Sequence, residues 1–239
     1  MRKMTWMAAM LSALGLTLIA QRAKADLVVT YSINNGVTWV PLLDIADGGS
    51  GNKSMTIGGI TFNTLAFSDN APGGNSSKVV NGTIDATNST GTDQTVWLSV
   101  VGADFTSPVT PPPVVLRNHI GGSVLTGGTD NAISQQSCLD SGTPTTACQT
   151  STFSTSTVAP SITAMGSFHG DSNTTISSLS TPPSYSIEEL LKVTLSANGD
   201  INWGGSTTLT PVPEPGSLLL LGTALFFSSR ALIRKRRRA

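Results

Sequence analysis

Few residues in this 239-residue chain carry side chains suited to catalysis or metal binding. There are two histidines, His119 and His169, and two cysteines, Cys138 and Cys148. Hydrolysis by a serine nucleophile needs a base to take the hydroxyl proton, most often histidine, so a centre of that kind has to recruit one of the two. Gly170-Asp171-Ser172 follows His169 directly, but a chain this rich in Ser and Thr produces such triplets without function. A His/Cys zinc site is excluded by ligand count and spacing. The loop Asp44-Ile45-Ala46-Asp47-Gly48-Gly49-Ser50-Gly51-Asn52 offers oxygen ligands that would suit calcium. It lacks EF-hand spacing and repeated G-G-x-G-x-D units, so a plain turn is expected and Asp44 and Asp47 stand as weak metal candidates only. No cofactor is expected otherwise. Trp39, Trp97 and Trp203 could stack on sugar rings; Trp97 reads as core and Trp39 as the best exposed candidate. Asn52, Asn75, Asn81, Asn88 and Asn173 begin N-x-S/T triplets that this composition places by chance.

The ends of the chain say more. Met1-Arg2-Lys3 precedes a mostly apolar run, Met4 to Ala20, and Ala23 and Ala25 form an A-x-A site before Asp26. That is the pattern of a secretory signal peptide over 1–25, cut after Ala25 by signal peptidase. Export removes the cytosol as the working compartment, and Cys138 and Cys148 are then expected to pair with each other. Charge is segregated. Residues 26–209 hold four Lys/Arg against thirteen Asp/Glu, a formal charge of −9. Such a surface repels phosphate, which argues against a nucleic-acid partner.

After Pro211-Val212-Pro213-Glu214-Pro215-Gly216, residues Ser217 to Ser229 are uncharged and rich in Leu, Phe and Ala. A basic stop follows: Arg230, Arg234, Lys235, Arg236, Arg237 and Arg238. The uncharged run alone makes a helix of about 20 Å. Extended from Gly216 to Ile233 it reaches about 27 Å if Arg230 snorkels, a short span against a core of about 30 Å. The basic end should stay cytoplasmic. A Pro-Glu-Pro triplet, a short transmembrane helix and a terminal Arg cluster, behind an N-terminal signal peptide, resemble the PEP-CTERM sorting signal. The resemblance covers about 30 residues, 210–239. It implies that an exosortase cuts near Pro213, Glu214 and Pro215 after a transient stay in the inner membrane. It also implies a Gram-negative cell that makes exopolysaccharide, with the body sent to the cell surface, outer membrane or extracellular matrix. It says nothing about residues 26–209.

That body reads as all-β. Leu27, Val29, Tyr31 and Ile33 alternate with Val28, Thr30, Ser32 and Asn34. Val80, Ile84 and Ala86 alternate with polar neighbours. Ile60 and Phe62 share one phase while Leu65 and Phe67 share the other, which predicts a bulge or break at Asn63-Thr64. Thr95 to Phe105 is apolar in both phases, as a central strand covered on both faces would be. Val193, Leu195 and Ala197 with Ile201 and Trp203 predict a hairpin around Asn198-Gly199-Asp200, and Ser186 to Leu190 a single helical turn before it. Prolines break 106–183, so a loop-rich insert is expected with short edge strands near Val114–Leu116, Phe153–Val158 and Ile162–Met165. The expected architecture is an antiparallel β-sandwich body with that insert, flanked by the signal helix and the C-terminal membrane helix.

Gly170-Asp171-Ser172 is similar to the Gly-Asp-Ser of an esterase family, but that family's early position in an α/β fold and its late Asp-x-x-His are both missing. The sequence therefore favours a non-enzymatic surface or matrix protein associated with exopolysaccharide. The alternatives are a carbohydrate-binding module, which needs an exposed aromatic platform, and a hydrolase, which needs a histidine beside an acid and a nucleophile. The exported protein should begin at Asp26; N-terminal mass analysis returning an intact Met1 end would contradict the signal-peptide reading.

Overall fold

The computed structural model describes residues 27–212 apart from 47, 71–75, 109–112, 127–129, 141–147, 149–152, 156, 161, 163–164 and 178–183. The signal helix and the membrane helix expected at the two ends lie outside the described residues. Among those that are described there is no helical element, and twelve strands form two antiparallel sheets. In chain order they are β1 (Leu27–Ser32), β2 (Val40–Ile45), β3 (Ser50–Ile57), β4 (Ile60–Asp69), β5 (Ser77–Asn88) and β6 (Gln94–Phe105). They continue as β7 (Val114–Thr126), β8 (Ala132–Asp140), β9 (Phe153–Ser154), β10 (Gly166–Ile176), β11 (Tyr185–Leu195) and β12 (Asp200–Pro211). The first sheet runs β2-β1-β6-β11-β8-β9 and the second β10-β7-β12-β5-β4-β3.

The core lies between the sheets. One layer supplies Leu27, Val29, Val96, Leu98, Val100, Leu191, Val193 and Leu195; the other supplies Ile60, Phe62, Ile84, Leu116, Ile120, Ile201, Trp203 and Leu209, all buried. Alternation along each strand delivers these residues to one face. The bulge expected in β4 is present: its register on β5 shifts between Phe62, Thr64 and Phe67. That slip keeps Phe62 and Leu65 both inside. β6 is a central strand, paired with β1 and β11.

Several expectations are corrected. Among its described residues the stretch 106–183 is mostly strand rather than loop. It supplies β7, β8 and β10, of thirteen, nine and eleven residues. The apolar signal of β7 and β8 is diluted because Asn118, Gln135 and Ser137 occupy buried positions, and β10 buries only Phe168 and Ile176. Of the strand expected at Ile162–Met165, residues 163 and 164 lie outside the described residues; Ile162 packs beside the core outside any described strand and Met165 is exposed. Ser186 to Leu190 belong to β11 rather than to a helical turn, and Ser186 to Glu189 are all buried. The hairpin does not exist either. β11 and β12 lie in different sheets, and the chain crosses between them through a turn in which Gly199 N donates to Ser196 O at 2.8 Å. Leu195 and Ile201 do face the same core, but from opposite layers. In β5 the buried phase is Ser77, Val79, Asn81, then Ile84, Ala86, Asn88, so Val80 points outward and a slip intervenes.

Register fixes which loops share a pole. Leu27 pairs with Gly102, Tyr185 with Phe105, and Pro211 with Val114. At this pole Tyr185 Oη and Ser77 Oγ, 2.8 Å apart, join the two sheets, and both hydroxyls also reach Ser107 O. The start of β1 and the end of β12 therefore leave the sandwich from the same side. The opposite pole is closed by Asn88, whose amide donates to the carbonyls of Thr92, Leu195 and Ser196 at 2.8, 3.0 and 2.9 Å.

Candidate functional site

The histidines are placed by the register of three neighbouring strands. Asp171 on β10, His119 on β7 and Ser206 on β12 are successive cross-strand partners. His119 Nδ1 lies 2.8 Å from Asp171 Oδ1, with both side chains more than half exposed. This is the histidine–acid pair a hydrolase would need, yet the third member is not engaged. His119 Nε2 leans along its own strand, 3.9 Å from where a Cβ on Gly121 would stand. No hydrogen bond joins it to Ser206. A pair this open to water is a surface contact worth little energy. His169 pairs with Gly121 one step along β10 and is exposed.

The remaining sequence candidates separate. Cys138 and Cys148 are bonded, with Cα atoms 5.6 Å apart, within the normal range for a disulfide. Asp44 is exposed on β2, and Asp47 lies outside the described residues. Gly48 N is taken by Asp69 Oδ1 at 2.9 Å, so the loop is closed as a turn. No three His, Cys, Asp or Glu side chains converge among the described residues. Trp203 is core. Trp97 is not, contrary to expectation: it is half-buried on the outer face of its sheet, with Lys192 Nζ 5.4 Å above the ring. Trp39 is half-buried in the β1–β2 loop against Gly36. Asn81 and Asn88 are fully buried, which removes them as glycan acceptors, while Asn52 and Asn173 are exposed. A depression of about 200 Å³ on the outer face of the second sheet is lined by Ser50, Gly51, Asn52, Ala66, Phe67, Ser68 and Gly82, with no charged group.

Sequence reasoning missed a polar cluster inside the sandwich. Asn81 Nδ2 on β5 donates to Glu189 Oε2 on β11 at 2.7 Å and to Gln135 Oε1 on β8 at 3.1 Å. Gln135 Nε2 donates to Asn118 Oδ1 on β7 at 2.8 Å, and Asn118 Nδ2 returns a bond to Gln135 O at 2.9 Å. Ser137 and Thr207 hydroxyls meet at 2.5 Å. The cluster ties β8 and β11 of one sheet to β5, β7 and β12 of the other. Gly205 makes room for it, since a Cβ there would stand 2.5 Å from Gln135 Oε1 and 2.9 Å from Asn81 Nδ2. Glu189 is fully buried, and loss of water pushes its carboxyl up to about 7 against the pull of hydrogen bonds from Asn81 and Thr207. The neighbouring Glu188 faces the other way. It accepts from Ser99 Oγ at 2.6 Å and from Cys148 N at 2.8 Å, which fixes the disulfide against β11. The only signal was the pair Glu188-Glu189 inside an apolar-flanked run.

The chain leaves the body along β12, in the middle of the second sheet. Its pairing with β5 ends at Leu209–Ser77, whereas pairing with β7 continues through Thr210–Val115 and Pro211–Val114. Val212 N then donates to Pro113 O at 2.7 Å. Pro211 lacks an N–H, and such a residue is tolerated where a strand edge has no partner.

Comparison with known proteins identifies the segment that follows. The PEP-CTERM protein-sorting motif matches residues 211–238, which include Pro213-Glu214-Pro215 and the basic cluster from Arg230 to Arg238. The chain therefore carries this motif, which indicates an exported, surface-targeted protein. No curated protein matches. Among solved structures, one described as giving the structural basis for the promiscuous specificity of carbohydrate-binding modules of the β-sandwich superfamily is similar over 77% of this chain and 84% of its own. Its TM-score is 0.30 at 10% identity. A likeness at that level says nothing about a ligand here.

The buried carboxyl makes stability depend on pH. An ordinary glutamate loses its proton near 4.5, whereas Glu189 holds it to about 7. Between those values the native state binds a proton that the unfolded chain has lost, so stability falls as pH rises through the window and levels off above it. The change is roughly 3 kcal/mol. Urea unfolding midpoints should fall between about pH 5 and pH 7.5 for the native sequence. In Glu189→Gln that fall should be largely gone. Equal slopes in the two proteins would contradict the assignment.

Proposed function

We propose that this protein is a non-enzymatic surface or matrix component, whose body is exported, folds as a β-sandwich and is delivered by its C-terminal signal to a place where it associates with exopolysaccharide. The motif at 211–238 carries the reading. On this reading the chain divides into a signal peptide, 1–25, a body, 26–209, and a sorting signal, 210–239. Signal peptidase acts at Ala23-x-Ala25, and the inner membrane holds the tail until an exosortase processes it. Pro213, Glu214 and Pro215 form the recognition element. The two prolines hold the backbone extended and remove donors, so an enzyme groove meets one conformation. Arg230, Arg234, Lys235, Arg236, Arg237 and Arg238 keep the span from sliding outward.

The geometry of the body supports a non-catalytic role. His119 and Asp171 lie open to solvent on a flat sheet face, without an engaged nucleophile. Among the described residues no exposed aromatic platform favours the carbohydrate-binding module: Trp203 is buried, Trp97 lies beneath Lys192, and Trp39 is half-buried. Because both chain ends leave from one pole, a body held by the signal peptide and the tail stands on the membrane with its faces free.

Replacing Pro213-Glu214-Pro215 by three alanines should leave the body unprocessed in the inner membrane. Neutralising Arg234 to Arg238 should impair processing as well. Release of the triple-alanine variant at the native rate would overturn the sorting reading and leave a simple anchored β-domain.

A further inference from the structure

We infer that the sorting enzyme meets this body at the pole where β12 ends, and that the last three paired residues, Thr210 to Val212, form a clasp that must open before the triplet can be engaged. The inference rests on the reading of residues 213–215 as the recognition element. Two observations carry it. First, the body has no linker. Val212 N is bonded to Pro113 O at 2.7 Å, and Pro213 is the next residue. The triplet therefore begins one peptide bond beyond the last hydrogen bond of the body. Second, the clasp differs from the rest of β12. From Asp200 to Leu209 the strand is flanked by β5 and β7, whereas among the described residues Thr210 and Pro211 pair with β7 alone.

An enzyme that reads an extended peptide forms main-chain hydrogen bonds with it. Backbone groups already spent in a sheet are not available for that. The residues just before the triplet must therefore leave β7, while the doubly flanked part of β12 holds. Each hydrogen bond of this kind favours the closed state by roughly two- to tenfold. One-sided pairing makes the clasp weak enough to open and strong enough to slow the enzyme. It also sets a stop: unzipping that reaches Leu209 meets the second neighbour and the core, where Leu209 is fully buried.

Pulse-chase of tail removal from the full-length chain, in cells that contain the sorting enzyme, tests this. Inserting six Gly/Ser residues between Val212 and Pro213 should speed removal about tenfold, because the triplet no longer depends on the clasp. The opposite variant joins Thr210→Cys to Val115→Cys, a facing pair on β12 and β7. It should slow removal about tenfold relative to Thr210→Cys alone. If both variants are processed at the native rate while the triple-alanine variant stays blocked, the clasp is overturned and the sorting reading stands. If the triple-alanine variant is processed normally, both fall together.

Discussion

The last strand of the body lies in the middle of a sheet, and the rest of the structure depends on that placement. β12 is the neighbour of both β5 and β7. Without it the second sheet separates into a three-stranded piece and a two-stranded one, and pairs of strands are marginal in water. It also brings Ile201, Trp203 and Leu209 into the core and Thr207 to the interior polar cluster. The body therefore cannot complete its fold until residue 211 has been exported, and residue 211 is where the sorting motif begins. Folding and sorting share a boundary.

The second feature is the interior itself. Aromatic residues make up only 5% of the chain, and Phe105–Tyr185, with ring centroids 5.9 Å apart, is a stacked pair in its core. Polar side chains fill part of the space that aromatics take in other sandwiches. Asn81, Gln135, Asn118 and Glu189 bond to one another across the sheets, with Asn81 Oδ1 and Glu189 Oε1 left over. Such a network adds less to stability than packed hydrocarbon, since each buried polar group must first lose its water. Its contribution is to register, because a slipped strand would leave several buried groups without partners. In a Ser/Thr-rich chain with weak apolar contrast, that specificity has to come from somewhere other than the hydrophobic pattern.

This explains what the sequence revealed and what it hid. The phase of Leu27 and Val29 and the slip after Phe62 were readable because burial followed hydrophobicity there; beyond the register shift at Val29 it does not, since Ser32 is buried while Ile33, expected on the apolar face, is exposed. β7 and β8 were hidden because Asn118, Gln135 and Ser137 are inside, so the buried face looks polar, and β10 because it buries only Phe168 and Ile176. The arch between β11 and β12 was mistaken for a hairpin because two layers facing one core impose the same alternation as two paired strands. Glu188 and Glu189 resembled the start of a helix, since buried carboxylates are rare enough to be discounted. The ends of the chain were legible for a different reason. Membrane and protease signals are linear, and they need no partner from elsewhere in the fold.

The handover from β12 to the sorting tail is tested most directly by the mass of the mature protein recovered from the cell surface. A body that keeps Val212 and has lost the span and the basic cluster beyond it agrees with a complete sandwich released at the motif. A mature protein that still carries its residues through Ala239, or one cut upstream of Pro211 inside the central strand, would contradict it.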